Sequence, residues 1–303
     1  FESAIQSSDG GYVAVGYYYN GSSYDAIIVK YDTNLNVTSQ YSLGDTNDDR
    51  FYSVIQSSDG GYVAVGHQSA IQDDTSALIV KYDSNLNLVT QKSLDGTYQQ
   101  RFNSVIETSD GGYLAVGYGN NDSSDLYQQD ALLVKYDSSL NLVSQHSLTD
   151  TESVGLESVI QASDGGYVAV GIQNAGNIDE LDALLVKYDS NFNLVSEIGL
   201  GGFTYDFFNS VIETSDGGYV VVGGQYSDSQ GLSDAFIVKY DSNFNLVSQR
   251  SLGGTNNDIF YSVVQKSDGG YVAVGTQQSE GQGSLDILIV EYDSSLNIVI
   301  QRG

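Results

Sequence analysis

Asp59-Gly60-Gly61-Tyr62-Val63-Ala64-Val65-Gly66, then Ala77-Leu78-Ile79-Val80-Lys81-Tyr82-Asp83-Ser84-Asn85-Leu86-Asn87, is the stretch from which the architecture is read. Its first four letters return at Asp9, Asp59, Asp110, Asp164, Asp216 and Asp268, with spacings of 50, 51, 54, 52 and 52 residues. Each copy also repeats what flanks them, from an F-x-S-V-I-Q lead-in to an S-L-G-G-T-N-N-D exit. A fixed period of this length means one supersecondary unit used six times.

Each unit reads as four short strands, a to d, which in the second copy span 52–56, 62–66, 77–82 and 88–93. Strand c is an almost unbroken apolar run, as in Ala26-Ile27-Ile28-Val29, and a strand of that kind is buried on both faces. Strand d, as in Leu142-Val143-Ser144-Gln145, is more polar and suits an outer edge. No segment carries a sustained helical period. Asp-Gly-Gly between a and b is a tight-hairpin signal, because glycine takes a positive φ cheaply. Asp-Ser-Asn-Leu-Asn between c and d is a second hairpin, a short loop whose asparagines tolerate left-handed conformations. A longer polar stretch such as Gly253-Gly254-Thr255-Asn256-Asn257-Asp258 leads from d to the next a.

A four-stranded sheet with two apolar faces cannot bury either alone. Each covered Val, Ile or Leu is worth about 1.5–3 kcal/mol, so the sheets stack. The fold class expected is all-β: a six-bladed β-propeller with four antiparallel strands per blade. The blades fall at 1–50, 51–101, 102–155, 156–207, 208–259 and 260–303, together one domain. An open β-solenoid is the rival, but tight hairpins demand antiparallel pairing. No blade is shared between the two ends, so closure would rest on whole blades one and six, and further copies would enlarge the ring.

The composition bounds the function. Eleven Lys and Arg against 39 Asp and Glu give a net charge of −28, a field that repels phosphate backbones and anionic lipid. Nucleic acid is an unsuitable partner; cations, neutral sugars and basic protein surfaces are compatible. No apolar run approaches the roughly 18 residues of a membrane helix, so membrane insertion is not expected. Without Cys there is no disulfide, thiol nucleophile or zinc–thiolate site. Without Met, position 1 included, the chain reads as part of a longer protein.

The D-G-G-Y-V-A-V-G and D-A-x-I-V-K-Y-D-S-N-L-N strings resemble the DGGY-type propeller repeats of bacterial and archaeal cell-surface proteins, and more distantly kelch-like repeats. The resemblance covers essentially the whole chain. It implies secretion to the cell surface or exterior, and a binding or structural role.

Strand direction sorts the connections onto two faces. The a–b and c–d hairpins share one face and hardly vary between copies. The b–c and d–a connections share the other, which carries the variation and is the expected ligand face. Candidate ligand-binding residues there are Tyr17, Tyr18, Tyr19, Tyr98, Asp125, Tyr127, Asp179, Glu180, Phe203, Tyr205, Asp206 and Tyr226. Exposed tyrosines suit stacking on sugars or anchoring a protein. The partner expected is a glycan or protein; the alternative is a structural module that assembles with itself or with other domains of its parent chain.

Three constellations bear on chemistry. Asp32-x-Asn34-x-Asn36 and Asp83-x-Asn85-x-Asn87 match the opening of an oxygen-rich Ca2+ loop but lack its following Gly and distant Glu; the competing reading is an Asx-stabilised hairpin. Ser7-x-Asp9-x-Gly11 partly matches the Asp-box of sialidase-type propellers, a turn element without catalytic groups. A carboxylate recurs at the start of strand c, at Asp25, Asp130, Asp182, Asp234 and Asp286, to bind cations or to bond the turn backbone. A glycosidase needs two carboxylates in unlike environments, which near-identical blades do not supply. Catalysis would have to arise where the repeat breaks, at His67, His146, Glu152, Asp179, Glu180 or Asp206. The reading is a non-catalytic binder.

Overall fold

The computed structural model describes residues 1–44, 46–69, 75–94, 99–120, 129–148, 154–174, 181–201, 205–226, 232–253, 256–278 and 285–302. They form six sheets of four strands, each in the spatial order a–b–c–d, with every described neighbour pair antiparallel. In blade two the strands are Asp49–Gln56, Tyr62–Ser69, Thr75–Tyr82 and Leu88–Leu94. Strand a thus begins before the residue that the repeat suggested, and b and c extend toward the variable face. No helix among the described residues is long and apolar enough to cross a membrane. The chain packs as two compact units, Phe1–Leu156 and Glu157–Gly303, with the dividing point inside strand a of blade four.

Within each unit the blades stack as the burial argument requires. In the first, Val13, Val15, Ala26 and Ile28 of blade one meet Phe51, Val54, Tyr62, Leu78, Tyr82 and Leu86 of blade two, all buried. In the second, the matching positions of blade five, Val220, Val222, Ala235 and Ile237, meet Phe260, Val263, Tyr271, Leu288, Tyr292 and Leu296 of blade six. The same alternation therefore builds each joint: one face of every sheet offers small and branched residues, the other rings and Leu. Strand d is mostly exposed, as its polarity predicts.

The hairpins explain the repeated letters. Gly60 sits at φ +84° and donates its N–H to the Ser57 carbonyl, closing the a–b turn. Asp59 accepts the Gly61 N–H at 2.9 Å and pairs with Lys81 of strand c at 2.7 Å. Gly66, the last letter of the motif, faces a bulge in strand a between Phe51 and Ser53; a Cβ there would lie 1.8 Å from the Arg50 carbonyl oxygen.

The c–d hairpin departs from expectation. Its left-handed residues are not the asparagines but Leu35, Leu86, Leu140, Phe192, Phe244 and Leu296, with φ between 60° and 66°. Such a conformation costs a branched or bulky residue about 1–2 kcal/mol. Burial offsets it: Leu86 is 2% exposed against blade one, Leu296 is buried against blade five, and Phe244 stacks on Tyr219 at 4.9 Å.

Candidate functional site

The lysines are largely committed to the hairpin face. Six of the seven, Lys30, Lys81, Lys135, Lys187, Lys239 and Lys266, pair with the aspartate of a DGGY turn. Several also reach the next blade: Lys81 Nζ donates to the Tyr113 hydroxyl at 3.1 Å and to the Ser138 carbonyl at 3.0 Å. These are structural clamps. Hydrogen bonds from Lys135 and Thr108 hold the Asp110 carboxyl down to about 2, and those from Thr214 and Lys239 do the same for Asp216. A cleft of about 500 Å³ on this face is lined by one such clamp, with Asp59, Lys81, Asp83 and Ser138.

The variable face of the first unit uses arginine instead. The Arg50 guanidinium lies 4.5 Å from the Tyr17 ring centre and 4.9 Å from that of Tyr24. Arg101 repeats the motif one blade on, 4.9 Å from Tyr52 and 4.6 Å from Tyr118. Between the two, His67 Nδ1 lies 3.3 Å from the Tyr52 hydroxyl. Tyrosine, arginine, histidine, tyrosine and arginine thus form a ladder across three blades, each guanidinium close to two tyrosine rings. Its geometry follows from the repeat. Arg50 pairs with His67, and Arg101 with Tyr118, at the variable end of strands a and b, where the period breaks in composition but not in backbone.

Burial sets the electrostatics. Desolvation, followed by the neighbouring Arg50 and Arg101, lowers the His67 pKa to about 4, so the imidazole is neutral at pH 7. Burial raises the Tyr52 phenol. Arg50 is anchored by Asp48 at 3.4 Å, and Asp48 also accepts the Tyr24 N–H at 2.9 Å. Arg50 Nε is buried without a partner among the described residues.

The tyrosines read from the sequence fall around this ladder. Tyr17 is part of it, while Tyr18 and Tyr19 project as exposed rings at its edge. Tyr18 donates to Asp25 at 3.2 Å, and Tyr19 donates to the Gly21 carbonyl at 3.0 Å. In the second unit Tyr205 touches Phe207 and Tyr226, with ring centres 5.8 and 6.0 Å apart. Asp206 there is buried and accepts the Tyr226 N–H at 3.1 Å, a bracing role. Tyr98, Asp125, Tyr127, Asp179, Glu180 and Phe203, like Glu152, lie outside the described residues. Arg50, Arg101, Tyr24, Tyr52 and Tyr118 were not singled out by the sequence reading; two arginines at one repeat position, in a chain with four, were the available signal.

The Asp-x-Asn-x-Asn loops spend their carboxylates internally. Asp32 Oδ1 accepts the Asn34 and Asn36 N–H groups at 2.8 Å, Oδ2 accepts the Asn36 amide at 2.9 Å, and Asp83 does the same with Asn85 and Asn87. These bonds hold both carboxyls below the usual range. A Ca2+ ion would have to compete with these donors, and each loop supplies one carboxylate. The hydrogen bonds are those of an Asx-stabilised hairpin.

Neither a family model nor a curated protein matches the chain. Solved structures do. An ulvan lyase of a polysaccharide lyase family superposes with a TM-score of 0.61 at 9% identity, over 99% of this chain and 82% of that one. The fold is a β-propeller. Sqt1 from Chaetomium thermophilum superposes as well (TM-score 0.53, 14% identity, 96% of this chain and 68% of that one). So does the Pan2 WD40 domain of Neurospora crassa (0.53, 10%, 83% and 65%). At such identities the propeller scaffold is what is shared.

Proposed function

We propose that this propeller is a non-catalytic binding module of the cell surface or exterior that takes a neutral glycan on its variable-loop face. The ladder of Tyr17, Arg50, His67, Tyr52, Arg101 and Tyr118 is the observation that carries the reading. A cluster of rings and guanidiniums is suited to sugars, and the exposed Tyr18 and Tyr19 offer ring faces for stacking. The net charge of −28 favours a neutral ligand over a polyanion. Propeller neighbours include both a polysaccharide lyase and a WD40 domain, so the choice of binder over enzyme rests on this chain's own residues. What favours a binder is that the described face of the first unit pairs a neutral histidine with arginines.

A glycan array read with the intact chain, followed by titration of Arg50→Ala and Arg101→Ala, tests this. Binding of neutral oligosaccharides weakened at least tenfold by either substitution is expected. An array without signal, or binding indifferent to both arginines, would sink the reading, and turnover of a glycoside panel would replace it with an enzyme.

A further inference from the structure

One position in strand d sets how far a joint between blades is filled. In blade one it is Tyr41, whose ring packs on Tyr82 of blade two with ring centres 5.5 Å apart. In blade four it is Ile198, which packs against the core of the joint with blade five. In blade two it is Lys92, an exposed side chain. Beside it lies a cavity of about 240 Å³, lined by Lys92, Leu94, Tyr136, Leu140 and Leu142. Tyr136, Leu140 and Leu142 are the counterparts of Tyr82, Leu86 and Leu88. The cavity is therefore the seat that the Tyr41 ring takes one joint earlier, and its walls accept an aromatic side chain.

Two observations give the occupant its charge. Six lysines are committed to DGGY clamps, and Lys92 is the seventh, without an ion-pair partner among the described residues. Toward the hairpin face the cleft of about 500 Å³ continues along the same strand, touching Val89 and Thr90 and carrying the carboxylates of Asp59 and Asp83. One joint earlier the corresponding gap is bridged by Ser39 Oγ, which donates to the Asn85 carbonyl at 2.9 Å. Thr90, its counterpart, makes no such bridge to blade three among the described residues.

We propose that this groove, between strand d of blade two and the c–d hairpin of blade three, docks an extended peptide segment of a protein partner. The peptide seats an aromatic side chain on Tyr136, sets a carboxylate by Lys92, and lays a lysine or arginine toward Asp59 and Asp83. Strand d is the edge of its sheet, so alternate backbone groups point away from the ladder and can pair with an added strand. Thr90 and Lys92 are two residues apart on one sheet face, about 7 Å along the strand, so the basic and aromatic residues of the peptide are two apart as well. The groove lies within the first unit, and the inference is independent of the glycan reading, whose arginines lie on the variable face.

Anisotropy titration of the whole chain with the dye-labelled peptide Gly-Lys-Ser-Tyr-Asp-Gly and with its reversed sequence tests this, because the groove admits either strand direction. At least one order should bind, and replacing its tyrosine by alanine should weaken binding at least tenfold. Lys92→Tyr copies Tyr41 and should fill the seat from within, abolishing peptide binding while raising the melting temperature. Lys92→Gln leaves the seat open and should lose only the part owed to the peptide carboxylate, so that exchanging the aspartate for asparagine changes nothing further. Failure of both peptides to bind overturns the proposal, as does binding that Lys92→Tyr leaves intact. Binding of a neutral oligosaccharide that is lost in Lys92→Tyr and kept in Arg50→Ala would give the groove to a sugar, and overturns it too.

Discussion

Leu86 and Leu35 are the same residue in the same turn with the same left-handed backbone, and only their surroundings differ. Leu86→Ala should therefore cost about 3 kcal/mol in denaturant unfolding, the range for a buried leucine, whereas Leu35→Ala should stay within about 0.5 kcal/mol. Equal costs would mean that the turn, not the socket, sets the energy. His67 gives a second residue-scale outcome. Its folded pKa of about 4 lies below the ordinary 6.5, so the unfolded chain binds the extra proton between those values. Its contribution is complete above pH 6.5 and is lost as pH falls toward 4, by up to about 3 kcal/mol. Stability curves of the parent and His67→Gln should converge across that window and differ little in slope above it.

At the scale of the element, the repeat works because a hairpin, a clamp and a bulge coincide in each blade. Gly66→Ala forces a Cβ onto the Arg50 carbonyl, so the a–b bulge of blade two should open; amide exchange in those strands should rise more than elsewhere in the unit. The Lys–Asp clamps respond to acid with a definite sign. Asp110 and Asp216 are lowered to about 2 from an ordinary 3.8, so their stabilisation is present above 3.8 and lost as pH falls toward 2. Lys135→Met should flatten the Asp110 part of that acid limb in urea melts and leave the His67 window unchanged. Chelators bear on the other hairpin: EDTA should leave the melting temperature unmoved, since each Asp-x-Asn-x-Asn carboxylate is satisfied by its own loop.

For the whole molecule, net charge works against the folded state. A net charge of −28 on 303 residues repels itself, so added NaCl should raise the melting temperature by screening. Salt that melts the fold earlier would mean that the clamps outweigh the repulsion.

Strand period, hairpin positions and the sixfold repeat were all legible in the chain, because each depends on residues adjacent in sequence: alternation sets the strand, Asp-Gly-Gly sets the turn, and recurrence sets the number of blades. Tyr17 to Tyr19 were legible as surface tyrosines for the same reason, lying in a variable loop between two recognisable strands. Arg50 and Arg101 were not legible as a site, because their ring partners include tyrosines of the preceding blade that no local pattern connects to them. Asparagine tolerates the left-handed conformation by propensity, yet Leu86 and Leu296 take it, because each fills a socket in the preceding blade. Phe51 is buried against blade one and Val220 against blade six, so which blade covers each sheet face was decided by packing rather than by composition.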